Sequence, residues 1–179
     1  HHLKVDFMGN EKWVLVPADF QKLKDILFTW QTGMAEHSAW SAVFWCNHDQ
    51  PRVVSRFGDE GEYWKQSAKM LAGVIHCLRG TPYLYQGEEI GMTNVAFELE
   101  EYEDIEVRNA FQELVVNGKS ITREEFQKAV WNKSRDNGRT PMQWDDSENA
   151  GFTTGTPWFR VSDRYQEINV KNALEKKDS

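Results

Sequence analysis

The stretch "AWSAVFWCNHDQPRVVSRFG", residues 39–58, contains a short apolar run that stops abruptly at polar side chains. The run is continuous and does not alternate with polar residues, which predicts a parallel strand buried on both faces over about residues 41–46. Asn47, His48 and Asp49 follow without a spacer. Because the carboxyl ends of parallel strands line the ligand face of α/β folds, this stretch predicts both the fold class and the place of a site.

The segments around this strand have helical periodicity. Residues 17–33 place large apolar residues on one face, with Pro17 at the first helical position and Gly33 just past the end. Residues 62–80 repeat the pattern, and "TPYLYQG" after them predicts a second short strand over residues 82–85. Helix, strand, helix and strand with brief connections are typical of βα units around a parallel sheet. The apolar face of the first helix consists of Phe20, Leu23, Ile26, Leu27 and Trp30.

The order is looser beyond the second strand. The acidic run "ELEEYEDIE", residues 98–106, predicts the solvated start of a helix that continues to Leu114. Thr122 and Glu125 have the spacing of a capping box that opens another short helix. Residues 134–161 are rich in Gly, Thr, Asn and Pro but also in aromatic residues, which favours an ordered, packed loop over a disordered tail.

Composition limits the classes of function. The chain has 179 residues, a net charge of −7 and eight tryptophans, enough for one domain with a core. The acidic balance disfavours nucleic acid as a partner, and an anionic substrate requires locally placed cations. No apolar window has the length of a membrane helix or a signal peptide, so we expect no membrane association and a cytoplasmic location. Cys46 and Cys77 lie in apolar runs and are expected to be buried thiols, not a disulfide.

The polar residues 47–52 behind the first strand have more than one interpretation. They can form a hydrogen-bonded cluster that caps the next helix. Asn47, His48, Asp49 and Arg52 place four polar groups within six residues at a strand end, which favours a ligand site instead. A metal site in which His1 and His2 join His48 and Asp49 matches no zinc spacing, so we expect no metal.

A second polar group follows the second strand, where Gln86, Glu88 and Glu89 lie together. Two carboxylates can serve as acid and base in glycoside hydrolysis. Adjacent residues point to different sides, however, and we expect at least one glutamate to accept hydrogen bonds from the loop backbone. Lys4 and Lys12 are ordinary surface lysines unless the strand-end face, which they flank, binds an anion.

Three segments carry a resemblance to a known family: "FWCNHDQPRVVSRFG" (44–58), "GTPYLYQGEEIGMTN" (80–94) and "SRDNGRTPMQW" (134–144). Together they resemble glycoside hydrolase family 13, the α-amylase superfamily, and within it the oligo-α-glucosidase branch. The resemblance implies the C-terminal part of a (β/α)8 TIM barrel, from the end of barrel strand 6 to the loop after strand 8. Residues 1–91 are then the barrel segment, with strand 6 (its end), helix 6, strand 7, helix 7 and strand 8. Residues 92–179 are the long loop and short helices after strand 8, in the same catalytic domain.

The resemblance also implies roles for single residues. Asp49 matches the family's third invariant carboxylate, which binds the hydroxyls of the sugar in the first subsite and stabilises the transition state. His48 donates to the same sugar, and Arg139 resembles an arginine that reaches the substrate pocket. Structural roles near the site are implied for Asn47, Arg52 and Glu88.

The family's nucleophilic aspartate and general-acid glutamate follow barrel strands 4 and 5, which this chain is not expected to contain. A retaining glycosidase needs both carboxylates, about 5 Å apart. We therefore expect the isolated chain to be inactive and the remainder of the same polypeptide to complete the site. The resemblance implies no cofactor.

Within the branch, "HHLKVD" (1–6), "WQTGM" (30–34) and "YQEINV" (165–170) most resemble the members that hydrolyse trehalose 6-phosphate to glucose and glucose 6-phosphate with retention. A sugar phosphate carries nearly two negative charges and needs cations. Lys4 is the first candidate for that contact and Lys12 the second. The alternatives are an oligo-1,6-glucosidase or dextran glucosidase acting on isomalto-oligosaccharides, and a non-catalytic sugar-binding module.

Overall fold

Helices and short strands alternate along the chain in the computed structural model, which describes residues 4–9 and 11–175. The elements are α1 (Phe20–Glu36), β1 (Ala42–Val43), α2 (Val53–Phe57), α3 (Trp64–Cys77), β2 (Thr81–Pro82), α4 (Ile105–Ala110), α5 (Arg123–Lys133) and α6 (Val170–Glu175). A π-helix, Phe111–Asn117, continues α4, and short 3-10 helices occur at Lys4–Asp6, Leu99–Glu101, Arg135–Arg139 and Glu148–Gly151. None of the helices in this described part could cross a lipid bilayer.

The two strands pair in parallel, as the order of elements predicts. Ala42 lies opposite Thr81 and Val43 opposite Pro82. The amide of Thr81 donates to the carbonyl of Ser41 at 2.8 Å, and the ladder ends two residues later. Both strands are therefore shorter than the predicted ranges, and the apolar residues after Val43 continue outside the ladder.

The prediction that β1 is buried on both faces is wrong. Trp45 faces the core, where its indole donates to the carbonyl of Leu71 at 2.9 Å and its ring meets Phe57 edge-on. On the opposite face Phe44 is 41% exposed and Tyr83 is also exposed. Among the described residues the helices cover one face only, which leaves the other face open.

The first helix begins and ends later than predicted. Asp19 is its N-cap and accepts the amide of Lys22 at 2.9 Å, so Pro17 lies outside the helix. The helix continues through Gly33 to Glu36, because Gly33 keeps a helical backbone there. Only part of the predicted apolar face is buried: Leu23 is buried, Ile26 and Leu27 are partly buried, and Phe20 and Trp30 are exposed.

The capping box predicted for α5 is confirmed. The Thr122 hydroxyl accepts the Glu125 amide at 3.2 Å, and the Glu125 carboxylate accepts the Thr122 amide at 2.8 Å. The acidic run before it forms a 3-10 turn and then the first residues of α4, whose N-cap is Asp104. The helix predicted to continue to Leu114 extends, as a π-helix, to Asn117.

Two hydrophobic clusters hold the elements together. The strand-side cluster is built from β1, α1, α2 and α3, and the loop-side cluster from α4, the π-helix and α5 with the segments beside them. Buried members of the strand-side cluster include Val5, Leu23, Trp45, Cys46, Val53, Val54, Phe57, Trp64, Leu71, Ile75 and Met92. Buried members of the loop-side cluster are Trp13, Val95, Phe97, Tyr102, Val107, Ala110, Phe126, Ala129, Val130 and Phe159.

The prediction of two buried thiols is half right. Cys46 is buried, and burial raises the pKa of its thiol to about 12. Cys77 is exposed. It ends α3 two positions after the buried Ile75, and two residues turn a helix by about 200°, so its side chain points away from the core.

Candidate functional site

The turn after β1 presents Asp49 to solvent. The side-chain oxygen of Asn47 accepts the amide of Asp49 at 2.8 Å, and the amide of Gln50 donates to the Asn47 carbonyl at 3.2 Å. The carboxylate of Asp49 is 43% exposed, and the more exposed imidazole of His48 lies 3.3 Å from it. Asn47 thus fixes the backbone that carries the two groups predicted to meet a ligand.

Two arginines from the segment after α5 reach the same carboxylate. Arg135 Nη1 and Arg139 Nη2 lie 3.3 and 3.2 Å from Asp49 Oδ1. Arg139 Nε also donates to the carbonyl of His48 at 2.9 Å. The structure therefore brings Arg139 together with Asp49 and His48, and adds Arg135. The sequence signal for Arg135 was its place in the same motif as Arg139, "SRDNGRTPMQW" (134–144).

Gly138 allows this approach. A Cβ atom at that position would lie 2.7 Å from the carbonyl oxygen of Gln50 and 3.1 Å from that of Asn47. The hydroxyl of Tyr85 donates to the Gly138 carbonyl at 2.9 Å from the other side. A larger residue would push the arginine segment away from the Asp49 turn, so the glycine is required by close packing of two backbones.

A buried carboxylate holds Arg135. Asp104 accepts Arg135 Nε at 2.8 Å and Nη2 at 2.7 Å, a bidentate pair in which the Asp104 side chain is 0% exposed. Asp136, also buried, accepts the amides of Glu103 and Asp104 at 2.9 and 2.8 Å. Burial raises the pKa of Asp136, although these two amides and Arg139 oppose the shift.

Arg52 lies beneath the site and does not face a ligand. Its guanidinium is fully buried and donates to the carbonyls of Gln86 at 2.6 Å and Asn137 at 3.2 Å. Burial lowers the pKa of this guanidinium. Arg52 thereby connects the loops that follow β1, β2 and α5.

Glu88 and Glu89 lie away from Asp49. Both line a mainly apolar cavity of about 180 Å³ between α3, the loop after β2 and α6. The Glu88 carboxylate accepts the amide of Tyr85 at 3.2 Å, and burial raises the pKa of Glu88. This backbone contact is the kind that the sequence predicts for one of the two glutamates.

A cleft of about 310 Å³ opens beside Asp49 and is called the Asp49 cleft below. Its walls are formed by Asp6, Phe7, Lys12, Asp49, Gln50, Pro51, Arg56, Glu106, Lys133 and Arg135. The other two carboxylates in the cleft are engaged. Asp6 pairs with Arg56 at 2.7 Å, and Glu106 pairs with Lys12 at the same distance. Asp49 is thus the cleft carboxylate held by two arginines at longer distances.

The structure separates the two candidate lysines. Lys12 lines the Asp49 cleft, with its ammonium 4.6 Å from the centre of the Trp13 ring. Lys4 is exposed, is not among the cleft residues, and its carbonyl accepts Lys22 Nζ at 3.3 Å. The cleft geometry therefore favours the second lysine over the first as an anion contact.

Metal ligands are not grouped in the part of the chain that the structure describes: no three His, Cys, Asp or Glu side chains there could hold an ion together. His1 and His2, the extra ligands of the alternative metal site, lie outside the described residues. One exposed carboxylate flanked by donor groups suits the hydroxyls of a polar ligand, because the carboxylate accepts while imidazole and guanidinium donate.

Comparison with known proteins assigns this arrangement to a family. Residues 1–179 match the alpha-amylase family, described as the catalytic domain of alpha amylase. The chain is 55% identical to trehalose-6-phosphate hydrolase of Bacillus subtilis over 180 residues, covering 100% of this chain and 32% of that protein. It is 56% identical to an oligo-1,6-glucosidase of Heyndrickxia coagulans over 181 residues, covering 99% of this chain and 32% of that protein.

Solved structures agree with the sequence comparison. A crystal structure of Bacillus licheniformis trehalose-6-phosphate hydrolase superposes with a TM-score of 0.94 at 54% identity, covering 100% of this chain and 32% of that one. Isomaltulose synthase from Klebsiella sp. LX3 superposes with a TM-score of 0.92 at 41% identity, with 99% and 32% covered. The chain thus spans about a third of the length of the relatives it matches.

Proposed function

The chain belongs to the alpha-amylase family, and we propose that it forms part of the active site of a retaining α-glucosidase that hydrolyses trehalose 6-phosphate to glucose and glucose 6-phosphate. In this proposal the chain is the C-terminal part of a (β/α)8 barrel, with β1 and β2 as barrel strands 7 and 8. Residues 1–91 form the barrel segment and residues 92–179 the loop region of the same domain.

Asp49 is the proposed transition-state stabiliser. Its exposed carboxylate can accept hydrogen bonds from sugar hydroxyls, and those bonds strengthen as positive charge develops at the anomeric carbon. His48 and Arg139 are the proposed substrate donors beside it, at 3.3 and 3.2 Å from the same carboxylate. Asn47, Arg52 and Glu88 support the turns that hold these groups.

The nucleophile and the general acid are proposed to come from the rest of the polypeptide. Hydrolysis with retention needs two carboxylates about 5 Å apart on the two faces of the glycosidic bond. The cleft carboxylates other than Asp49 are bound to cations, Asp6 to Arg56 and Glu106 to Lys12. On this basis the 179-residue chain by itself has no glycosidase activity.

The observation that carries the choice of a phosphorylated substrate is the Lys12–Glu106 pair in the Asp49 cleft. The side chain of Lys12 is 19% exposed and that of Glu106 is 45% exposed, so the carboxylate is the more solvated member of the pair. A phosphate with nearly two negative charges can displace a solvated carboxylate from an ammonium, because ion pairs near water are weak. Lys12 therefore supplies a local cation in a chain of net charge −7.

Lys4 is retained as a second proposed phosphate contact. It lies in the 3-10 helix that also carries Asp6, which faces the cleft, so the two residues are close along the chain although Lys4 does not line the cleft.

A doubly charged sugar phosphate does not cross a bilayer unaided. The proposed enzyme is accordingly cytoplasmic.

An oligo-1,6-glucosidase is the second candidate, favoured by the equally high identity to the Heyndrickxia coagulans enzyme of that name. In that enzyme the Lys12–Glu106 ion pair would stay intact, because a neutral isomalto-oligosaccharide offers the ammonium no anion. The two candidates differ in the charge of the substrate and share the roles of Asp49 and His48.

The test is a parallel assay of the full-length enzyme on trehalose 6-phosphate and on isomaltose, each followed by glucose release. We expect the phosphorylated disaccharide to have the higher kcat/KM. Strong isomaltose cleavage without turnover of the phosphorylated sugar would exclude the first candidate in favour of the second. Binding of sugar without cleavage of either substrate would favour a non-catalytic sugar-binding module.

A further inference from the structure

We propose that Asp104 is a positioning residue of the site, which acts on Asp49 through Arg135. The inference rests on the proposed glycosidase function and concerns a residue that does not line the Asp49 cleft. Asp104 acts by holding Arg135 in a fixed position, so that only one of its nitrogens reaches Asp49.

The first support is that Asp104 makes more contacts than a helix cap needs. A cap requires one acceptor oxygen, and Asp104 Oδ1 provides it by accepting the amide of Glu106 at 2.9 Å. Both carboxylate oxygens also bind Arg135, at 2.7 and 2.8 Å. The pair is bidentate and buried on the carboxylate side, which fixes the plane of the guanidinium as well as its position.

The second support is that the backbone of Asp104 is tied to the segment that carries Arg135. Asp136 Oδ2 accepts the amides of Glu103 and Asp104, and Asp136 directly follows Arg135. The two segments are therefore joined by two sets of hydrogen bonds, one from Arg135 to the Asp104 carboxylate and one from the Asp104 amide to Asp136. Neither segment can shift without breaking several buried hydrogen bonds.

The third support is electrostatic. Burial by itself would raise the pKa of Asp104, but hydrogen bonds from Arg135 and from the amide of Glu106 outweigh burial and hold the pKa below its usual value. The hydrogen bond to Asp104 raises the pKa of Arg135. Both groups are therefore charged at neutral pH, and the contact between them is an ion pair.

This arrangement determines how Arg135 meets Asp49. With Nε and Nη2 bound to Asp104, only Nη1 is directed to Asp49, at a distance of 3.3 Å. Asp49 keeps acceptor capacity for a ligand as a result. Without the Asp104 charge, the guanidinium is free to turn and pair with Asp49 through two nitrogens, which would compete with sugar hydroxyls for the same oxygens.

The experiment is a double-mutant cycle on kcat in the full-length enzyme, with Asp104→Asn, Arg135→Gln and the double variant. Asparagine keeps the helix cap and removes the charge, so it separates positioning from capping. We expect Asp104→Asn to lower kcat by about tenfold with KM changed less than about twofold. The double variant should be no slower than Arg135→Gln alone, since coupled residues are not additive.

The matched control is Glu100→Gln, which removes the charge from an exposed ion pair with Arg123 at 2.7 Å in the neighbouring 3-10 helix. It should leave kcat unchanged. Additive losses in the cycle, or an unchanged kcat in Asp104→Asn, overturn the positioning role of Asp104. Neither result contradicts the proposed glycosidase function of the full-length enzyme. If Asp104→Asn does not fold, Asp104→Ser, which also keeps a capping oxygen and removes the charge, replaces it in the cycle, and the same additivity decides. A parent enzyme that cleaves no glucoside overturns both proposals.

Discussion

The strand-side and loop-side clusters differ in how completely they are closed. In the loop-side cluster Phe126, Ala129, Val130 and Tyr102 are all fully buried. The strand-side cluster is buried where α2 and α3 cover β1, but Phe44 and Tyr83 on the opposite face are exposed. One cluster is therefore complete within the described residues, and the other has an open face.

The site lies where the two regions meet. Asp49 and His48 belong to the turn after β1 on the strand side, whereas Arg135 and Arg139 follow α5 on the loop side. Lys133, the last residue of α5, joins the regions by donating to the carbonyls of Asp6 and Val14 at 2.6 and 2.8 Å. The closed region thus supplies the two arginines of the site, and the open region supplies the carboxylate that faces solvent.

The largest expected effect tests the closure of the loop-side cluster. Phe126→Ala removes a fully buried ring that contacts Trp13 and Phe111, and should lower the free energy of unfolding by about 3–5 kcal/mol. Phe44→Ala is the matched control on the open face and should cost about 1 kcal/mol or less. Urea denaturation of both variants of the 179-residue chain measures the difference. Equal losses would show that the face carrying Phe44 is as well covered as the loop-side cluster.

The next effect tests the carboxylate at the meeting point of the two regions. Asp49→Asn should lower kcat by about 10²–10³-fold, because a neutral amide cannot stabilise developing positive charge as a carboxylate does. Asp146→Asn, which breaks an exposed ion pair with Lys171, is the control and should leave kcat unchanged. Steady-state kinetics on the phosphorylated disaccharide measures both. Nearly normal turnover in Asp49→Asn would remove Asp49 from the proposed mechanism.

A smaller effect is expected in the pH dependence of stability. The pKa of Asp104 is lowered in the fold, so the Asp104–Arg135 pair stabilises the protein above the unfolded pKa of about 4 and loses this contribution as pH falls through the folded pKa. Asp104→Asn should therefore cost about 2 kcal/mol at pH 7 and progressively less in acid. Urea denaturation at several pH values between 7 and 3 gives the comparison. A cost that does not change with pH would mean that the charge is not responsible.

The smallest effect concerns the Lys12–Glu106 ion pair in the Asp49 cleft. Lys12→Ala should raise KM for trehalose 6-phosphate by about tenfold, equal to about 1.4 kcal/mol, and leave an uncharged aryl glucoside little affected. Lys4→Ala, made in parallel, shows which lysine binds the phosphate. If Lys4→Ala alone raises KM, the assignment passes from the cleft lysine to the exposed one.

The sequence predicted the secondary-structure elements more accurately than the burial of individual side chains. Local patterns suffice for the α5 capping box and for the order of helices and strands, because both depend on residues close together in the chain. The exposure of Phe44 and Cys77 could not be read locally, since it depends on which elements cover each face. For the same reason the contact between Arg135 and Asp104 could not be predicted, because the two residues are far apart in the sequence and meet only in the folded chain.

The pattern of residues was enough to predict that polar side chains follow an apolar strand, and the motifs were enough to indicate the family. Asp49, His48 and Arg139 could be named because each lies in a short stretch with its own pattern. Three further facts come from the fold alone: Lys12 lines the cleft, Lys4 lies outside it, and Asp104 holds Arg135. Ion pairs and burial depend on distances in space between residues that no local pattern connects.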